Sequence, residues 1–280
     1  MTQGENKYLN NEEIEIKLLL EAIYLKYGYD FRGYSKNHIK RRIKKILTES
    51  GLDSISIIQH KILSDKIFFE KVFPSFSINV TEMFRDPSFF VALRKEVIPV
   101  LRTYPHIKIW HAGCSSGEEV YSMAIILKEE GLYNKTQIYA TDINENVLKK
   151  AREGIYHIDL IKKYTLNYNK AEGTASFYDY YRANYDGAIL DKSLRENIIF
   201  TEHNLVTDGA FGEMNLIICR NVLIYFIRDL QNRVIKLFSD SLCKGGFLCL
   251  GSKETLQFSE WVDMFDPFIE SEKIYKGKLK

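Results

Sequence analysis

No apolar run in the sequence approaches the ~20 residues that a membrane-spanning helix requires, so no such helix is expected. The opening residues, Met1-Thr2-Gln3-Gly4-Glu5-Asn6, are polar and lack the apolar stretch of a signal peptide. Cysteine is scarce. The 4 present, Cys114, Cys219, Cys243 and Cys249, have no paired metal-ligand spacing, so neither a metal site nor a disulfide framework is expected. Cys249 lies in an apolar run, where a thiol behaves as a small hydrophobe. An excess of one charge is missing too: 39 Lys and Arg face 37 Asp and Glu, a net +2, so any electrostatic argument must rest on local clusters. These absences fit a cytoplasmic protein without membrane insertion. Tryptophan is rare at 2, whereas 18 Tyr and 17 Phe suit a core or a binding groove equally well. The remainder is ordinary for a soluble fold, 45% hydrophobic and 27% charged, and 280 residues suffice for one large domain and a small one.

Up to about Phe73 the pattern is helical. Leu18, Leu19, Ala22, Ile23 and Leu25 supply one apolar face, and Ile39, Ile43, Ile46 and Leu47 recur at helical spacing in a second segment. After Gly51, either Asp53 or Ser54 starts a third helix carrying Ile57, Ile58, Ile62 and Leu63. Pro74 punctuates this region, and a connector follows over 75–85. From Ile107 the texture changes to strands over 107–112, 137–143, 216–219 and 247–250. Helices alternate with them: one over 118–130 stopped by Gly131, one from the N-cap Asn144 to Gly154, and one with Leu230, Val234, Leu237 and Phe238 that ends near Gly245-Gly246. That alternation predicts an α/β fold with a doubly wound, mostly parallel sheet. Between Gly154 and Asn204 the rhythm breaks. A tyrosine-rich stretch over 177–185 precedes Ala188-Ile189-Leu190 and 197–201, which read as two strands of an inserted antiparallel β-hairpin. The expected organisation is a small all-α domain over 1–76 and an α/β domain over 77–280, with an inserted β-subdomain at about 165–203.

The stretch Ile109-Trp110-His111-Ala112-Gly113-Cys114-Ser115-Ser116-Gly117-Glu118-Glu119 reads as a buried strand, a tight glycine loop and a helix start. Open α/β sheets bind cofactors at such a junction, because glycine lets the backbone approach the ligand closely. Many such loops exist only for packing. Here Glu118 and Glu119 would repel a pyrophosphate at the helix N-terminus, and the loop lacks the G-x-G-x-x-G of dinucleotide sites. A cationic, hydroxyl-rich cofactor such as S-adenosylmethionine suits the acids. Asp142, at the end of the second strand, stands where an acid accepts ribose hydroxyls; capping the next helix is the alternative, but Asn144 already serves there.

Five blocks in order carry a resemblance: Asn79-Val80-Thr81-Glu82-Met83-Phe84-Arg85-Asp86; Gly113 to Glu119; Ala140-Thr141-Asp142-Ile143; Cys219-Arg220-Asn221-Val222-Leu223-Ile224-Tyr225-Phe226; and Gly245-Gly246-Phe247-Leu248-Cys249-Leu250-Gly251. Over nearly its whole length the chain resembles the CheR family, which methylates glutamates of bacterial chemoreceptors with S-adenosylmethionine. The resemblance implies a Rossmann-like methyltransferase domain and an N-terminal domain for substrate recognition. It also implies a cofactor pocket made by Asn79, Thr81, Arg85, Gly113, Glu119, Asp142, Asn204, Leu205, Asn221 and Val222, with Glu118 as the alternative to Glu119.

A glutamyl carboxylate, with an ordinary pKa of about 4.3, is already ionised at neutral pH, so its methylation requires no general base. The implied site has no evident His or Lys base, in keeping with that nucleophile. Arg85 is the candidate to hold the carboxylate by charge-assisted hydrogen bonds. Tyr225 would orient it through the hydroxyl or face the sulfonium with its ring; a core tyrosine is the plainer reading. Lys36, Lys40, Arg41, Arg42, Lys44 and Lys45 crowd one segment around Ile39, Ile43 and Ile46. Such runs are usually solvated faces, and nucleic acid is one acidic partner for them. The resemblance supplies another, the acidic methylation helices of the receptors' cytoplasmic domain, with Arg41, Arg42 and Lys45 as contact residues. Nucleic acid is then not an expected partner, and the expected state is a monomer. Three positions depart from the family pattern: Val120 replaces a proline, Met83 a phenylalanine, and Lys253 the serine of a G-x-S-E motif. The apolar swaps should be tolerated, whereas Lys253 bears on substrate preference rather than on cofactor binding. The hairpin strand Ala188-Ile189-Leu190-Asp191-Lys192 is less basic than in members that grip a receptor's C-terminal peptide, so strong tail binding is not expected. Two other functions compete: an S-adenosylmethionine-binding regulatory module, and an RNA methyltransferase that uses the basic helix.

Overall fold

Asn10 opens the first helix by accepting the Glu13 N–H at 2.9 Å, and Gly28, left-handed at φ 80°, closes it. In the computed structural model the described residues are 10–77, 80–185 and 187–278. They divide into two units, one made of the residues up to 77 together with Tyr225–Leu230, the other of the rest.

The first unit is helical: α1 (Asn11–Tyr27), α2 (Lys36–Ser50), α3 (Ile55–Ser64) and α4 (Lys66–Val72), followed by a short turn at Phe73–Ser75. Ser35, Ser54 and Asp65 cap the later helices with side-chain acceptors, each cap contributing about 1 kcal/mol. Leu19, Ile23, Phe31, Ile39, Ile43, Ile46, Ile58, Ile62, Phe69 and Phe76 form the core. Leu18, Leu25, Ile57 and Leu63 were expected to share these faces but are exposed, while Leu20 is buried. Leucines surround α1 on several sides, so periodicity alone does not select the face; packing against α3 does. The segment from Tyr225 joins this unit through backbone bonds, Ser35 N–H to Tyr225 O at 2.8 Å and Ile227 N–H to Gly33 O at 2.9 Å.

The second unit begins with α5 (Pro87–Ala92), which runs through a π-turn at Leu93–Val97 into α6 (Ile98–Leu101). There follow β1 (Ile107–Ala112), α7 (Glu118–Glu129), β2 (Thr136–Asp142), α8 (Glu145–Glu153), β3 (Ile155–His157), α9 (Ile158–Lys170), β4 (Tyr181–Asn184), β5 (Gly187–Leu190), β6 (Ile198–Glu202), β7 (Met214–Cys219), α10 (Arg228–Ser241), β8 (Leu242–Leu250), β9 (Phe265–Ile269) and β10 (Ile274–Gly277). The main sheet has 7 strands in the order β6-β2-β1-β7-β8-β10-β9. Among the described strands of this sheet, β10 alone runs opposite to the rest, antiparallel to both β8 and β9. All six residues of β7 are buried, as expected of a central parallel strand covered on both faces. The doubly wound, mostly parallel sheet is therefore as the alternation predicted.

Two local readings are corrected. The strand after Asn197 does not pair with Ala188-Ile189-Leu190; as β6 it lies parallel to β2, Ile198 opposite Ile138. The inserted antiparallel sheet is instead β3-β5-β4, with Ile189 opposite both Ile155 and Arg182. Gly245-Gly246 does not end α10, which stops at Ser241; both glycines lie inside β8, where its register with β7 slips between Met214 and Leu216. Two glycines without side chains accommodate that bulge.

Candidate active site

Strand order reverses between β1 and β7, and in such sheets ligands bind outside the carboxyl ends beside that point. Gly113 leaves β1 at φ 80°, and a Cβ there would lie 2.6 Å from Val222 Cγ2. Gly117 enters α7 at φ 91°, where a Cβ would meet that of Ala151 at 2.9 Å. Glycine is thus required twice, for conformation and for space. The Gly113 and Cys114 N–H groups both donate to Thr141 O at 2.8 Å. At the end of β2, the Asp142 carboxylate accepts the Ser115 N–H at 2.9 Å and the Asn144 N–H at 3.0 Å. Burial pushes its carboxyl up, and these backbone donors counter that push. Asp142 therefore holds the loop directly, while Asn144 caps α8 by accepting the Asn146 N–H. Ser115 Oγ is buried with no protein partner.

The two acids at the start of α7 have different surroundings. Glu118 is buried; its carboxylate accepts from Ser116 Oγ at 2.8 Å and from Tyr164 OH at 3.5 Å, and burial raises its pKa. Glu119 is also driven upward by burial, but the Arg220 and His111 beside it bring the carboxyl below its ordinary value. Arg220 Nη1 lies 2.8 Å from Glu119 Oε2, and His111 Nδ1 lies 3.5 Å from Oε1. Arg220 also donates to the Arg85 carbonyl at 3.2 Å and to the Asp86 carboxylate at 2.6 Å, with its guanidinium 4.1 Å from the Phe89 ring.

Arg85 itself sits between two left-handed residues, Phe84 at φ 51° and Asp86 at φ 56°. Its side chain donates to Val80 O at 3.3 Å, and the Phe84 N–H is fixed on Ser122 Oγ at 2.9 Å. Beyond β7, Asn221 is left-handed at φ 63°. The buried carboxylate of Glu254 accepts the N–H groups of Gly251, Asn221, Val222 and Ile224 at 2.6, 3.0, 2.9 and 3.2 Å. Past β6, Asn204 turns the chain by accepting the Val206 N–H at 2.9 Å, and Leu205 is buried.

The expected residues Arg85, Gly113, Glu119, Asp142, Asn204, Leu205, Asn221 and Val222 thus all belong to the second unit, on or beside loops at the carboxyl ends of β1, β2, β6 and β7 or in the segment before α5. Thr81 is half-buried in that same segment, and Asn79 lies outside the described residues. Tyr225 belongs to the first unit, its ring 4.7 Å from that of His38. Arg41 and Lys45 are exposed on α2, Lys45 within 3.6 Å of Glu49. Arg42 is half-buried with its Nε unpartnered. Lys40, Lys36 and Lys45 are paired with Glu12, Glu13 and Glu49, which leaves the positive character of α2 chiefly to Arg41, Arg42 and Lys44. Sequence reasoning missed the roles of Arg220 and Glu254. The signals for them were the arginine before Asn221 and the acid three residues past Gly251.

These residues suit S-adenosylmethionine. The glycine cradle admits close approach, Ser115 Oγ is an unused buried hydrogen-bonding group, and the acids match an ammonium, a sulfonium and ribose hydroxyls rather than phosphate. Among the described residues no group of three or more His, Cys, Asp or Glu is placed to hold a metal ion, and no helix is long and apolar enough to cross a membrane.

Comparison with known proteins agrees with that chemistry. A family model described as the SAM-binding domain of CheR methyltransferase matches residues 79–269, and one described as the all-alpha domain of CheR methyltransferase matches residues 14–76. A Pseudomonas putida protein that carries the name Cher3 is 52% identical over 95% of this chain and 97% of its own. The chemotaxis protein methyltransferases of Listeria innocua and Borreliella burgdorferi are each 30% identical, over 82% and 95% of this chain and 85% and 98% of their own.

Proposed function

Because the chain belongs to the CheR methyltransferase family, we propose that it methylates the side-chain carboxylates of glutamates in the cytoplasmic domain of chemoreceptors, giving glutamate methyl esters and S-adenosylhomocysteine. The observation that carries the reading is the gathering of Glu119, Asp142 and Asn221 at the carboxyl ends of adjacent parallel strands, with the main chain of Arg85 tied to the same cluster through Arg220.

S-adenosylmethionine, when bound, supplies a methyl carbon made electrophilic by the sulfonium. Asp142 would accept the ribose hydroxyls on the lone pairs its backbone donors leave open. Glu119, kept ionised, would face the methionine ammonium, and Thr81, Asn204, Leu205, Asn221 and Val222 would line the rest of the pocket, with Asn79 completing it. Arg85 would hold the acceptor carboxylate in line with the methyl group without neutralising it fully, since charge leaves that carboxylate as the bond forms. Tyr225 would orient the same carboxylate. The basic surface of α2, with Arg41, Arg42 and Lys45, would receive the acidic methylation helix. The proposal takes the protein as a cytoplasmic monomer.

Labelled cofactor, receptor-bearing membranes and the purified chain test the reading. The expected product releases labelled methanol on mild alkaline treatment, because methyl esters hydrolyse where methylated amines and RNA do not. Label that is stable to base, or that is found in RNA, would overturn it. The weakly basic β3-β5-β4 sheet is expected not to hold a receptor's C-terminal peptide; calorimetric binding in the micromolar range would contradict that part alone.

A further inference from the structure

Arg220 is the most enclosed guanidinium of the second unit, with a side chain only 2% accessible. A buried guanidinium carries one positive charge, which a single carboxylate balances. This one has two, Glu119 on α7 and Asp86 beside α5, and uses the same Nη1 that meets Glu119 to reach the Arg85 carbonyl. Its flat face rests on Phe89, which fixes the plane in which the fork opens.

The segment it grips is conformationally costly. Phe84 and Asp86 are both left-handed, a state that disfavours any residue with a Cβ and persists only where the surroundings impose it. Two sets of contacts impose it here: Ser122 holds the Phe84 N–H from one side, and Arg220 holds the Arg85 carbonyl and the Asp86 carboxylate from the other. The direction in which the Arg85 side chain leaves the backbone is fixed by that geometry.

We propose that Arg220 is a positioning residue, which sets the main chain of Arg85 through its fork of hydrogen bonds and so aims the Arg85 side chain at the site. The inference rests on the assignment of Arg85 to the cofactor pocket, but not on the identity of the methyl acceptor. Lysine at 220 keeps the charge and loses the fork, so a single nitrogen in the place of Nη1 no longer reaches Asp86 as well and the segment loses one of its two holds.

The test is a double-mutant cycle on S-adenosylhomocysteine affinity, measured by calorimetry with the full chain, accompanied by hydrogen exchange of the peptide spanning Phe84 to Asp86. R85K is expected to weaken binding about tenfold and R220K at least as much, since Arg220 also partners Glu119. The part of the R220K loss that acts through Arg85 vanishes in R85K/R220K, whose total loss therefore falls well short of the product of the two single losses. In R220K the amides around Arg85 should exchange at least about tenfold faster while those of the central strands keep their protection. Additive losses, an unchanged affinity in either single variant, or exchange that rises uniformly would each overturn the proposal. D86N removes one arm from the solvent side and serves if R220K fails to fold, with an expected loss of about threefold that is absent in the R85K background. Because no acceptor is present, the result stands even if receptors prove not to be the substrate. Failure of the receptor assay alone would leave the cycle unaffected.

Discussion

The two units bury ionisable side chains by opposite means. In the first, His38 is 5% exposed, neither ring nitrogen makes a hydrogen bond of good geometry, and burial followed by Arg42 and Arg41 lowers its pKa to about 4, against an opposing pull from the Phe76 backbone. The side chain is accommodated by giving up its charge. In the second, Glu119 keeps its charge because Arg220 and His111 lie beside it, and Asp86 shares the same guanidinium. A neutral imidazole needs only space and ring contacts such as Tyr225, whereas a retained charge needs partners brought from distant parts of the chain. The first arrangement makes a helix core that responds to pH; the second fixes atoms of the proposed cofactor site.

The sharpest way to break that contrast is to remove one charge and leave its partners. R220M should destabilise the second unit by roughly 3–5 kcal/mol in denaturant unfolding, because Glu119 is left buried without its counter-ion. A loss near 1 kcal/mol would show that water already compensates the cluster.

His38 should contribute a pH dependence of the opposite origin. Between its ordinary 6.5 and about 4 the unfolded chain binds a proton that the folded chain refuses. Stability is therefore present above pH 6.5 and falls as the pH drops through that interval, by up to about 3 kcal/mol. H38L should flatten this part of the curve. The Glu119 contribution would remain: with its folded pKa lowered, it stabilises above the ordinary carboxylate value and is lost only as pH falls through its lower folded value.

Two glycines give a matched pair. Gly28 and Gly113 share φ +80°, but nothing lies within 4 Å of a Cβ at Gly28, whereas Val222 Cγ2 would be 2.6 Å from one at Gly113. G28A should cost about 1 kcal/mol from backbone strain alone, and G113A about 2–3 kcal/mol together with weakened S-adenosylhomocysteine binding. V222A should recover much of the excess for G113A. Equal costs for the two glycine variants would remove the steric part of the account. The smallest stability effects belong to α2: R41A and K45A should change unfolding by no more than ~0.5 kcal/mol. Both should slow receptor methylation several-fold, most strongly at low salt, as expected of rim charges that steer an acidic partner.

What the sequence made legible was local. The strand, loop and acids from Ile109 to Glu119, the carboxylate closing β2 and the residues after Cys219 are each set by neighbours within a few positions, so composition and spacing exposed them. The contacts of Arg220 span 101 to 135 residues, and those of Glu254 with the Asn221 loop 30 to 33, distances at which no periodicity operates. The segment from Ile198 failed for a related reason. A strand of five residues, three of them apolar, carries no mark of whether it folds back on its predecessor or joins β2, and the register Ile198 to Ile138 is decided only when the sheet assembles. Leu18 and Leu20 on α1 differ by two positions and nothing in composition, and α3 determines which is covered.

The four N–H groups that converge on Glu254 form a receptor for an anion, and the protein fills it from within. Occupied in that way, the loops after β7 and β8 have those four donors committed to one another's fixing rather than to a ligand. A single buried side chain 33 residues further along the sequence thus holds the loop that carries Asn221 and Val222 in shape before any ligand arrives.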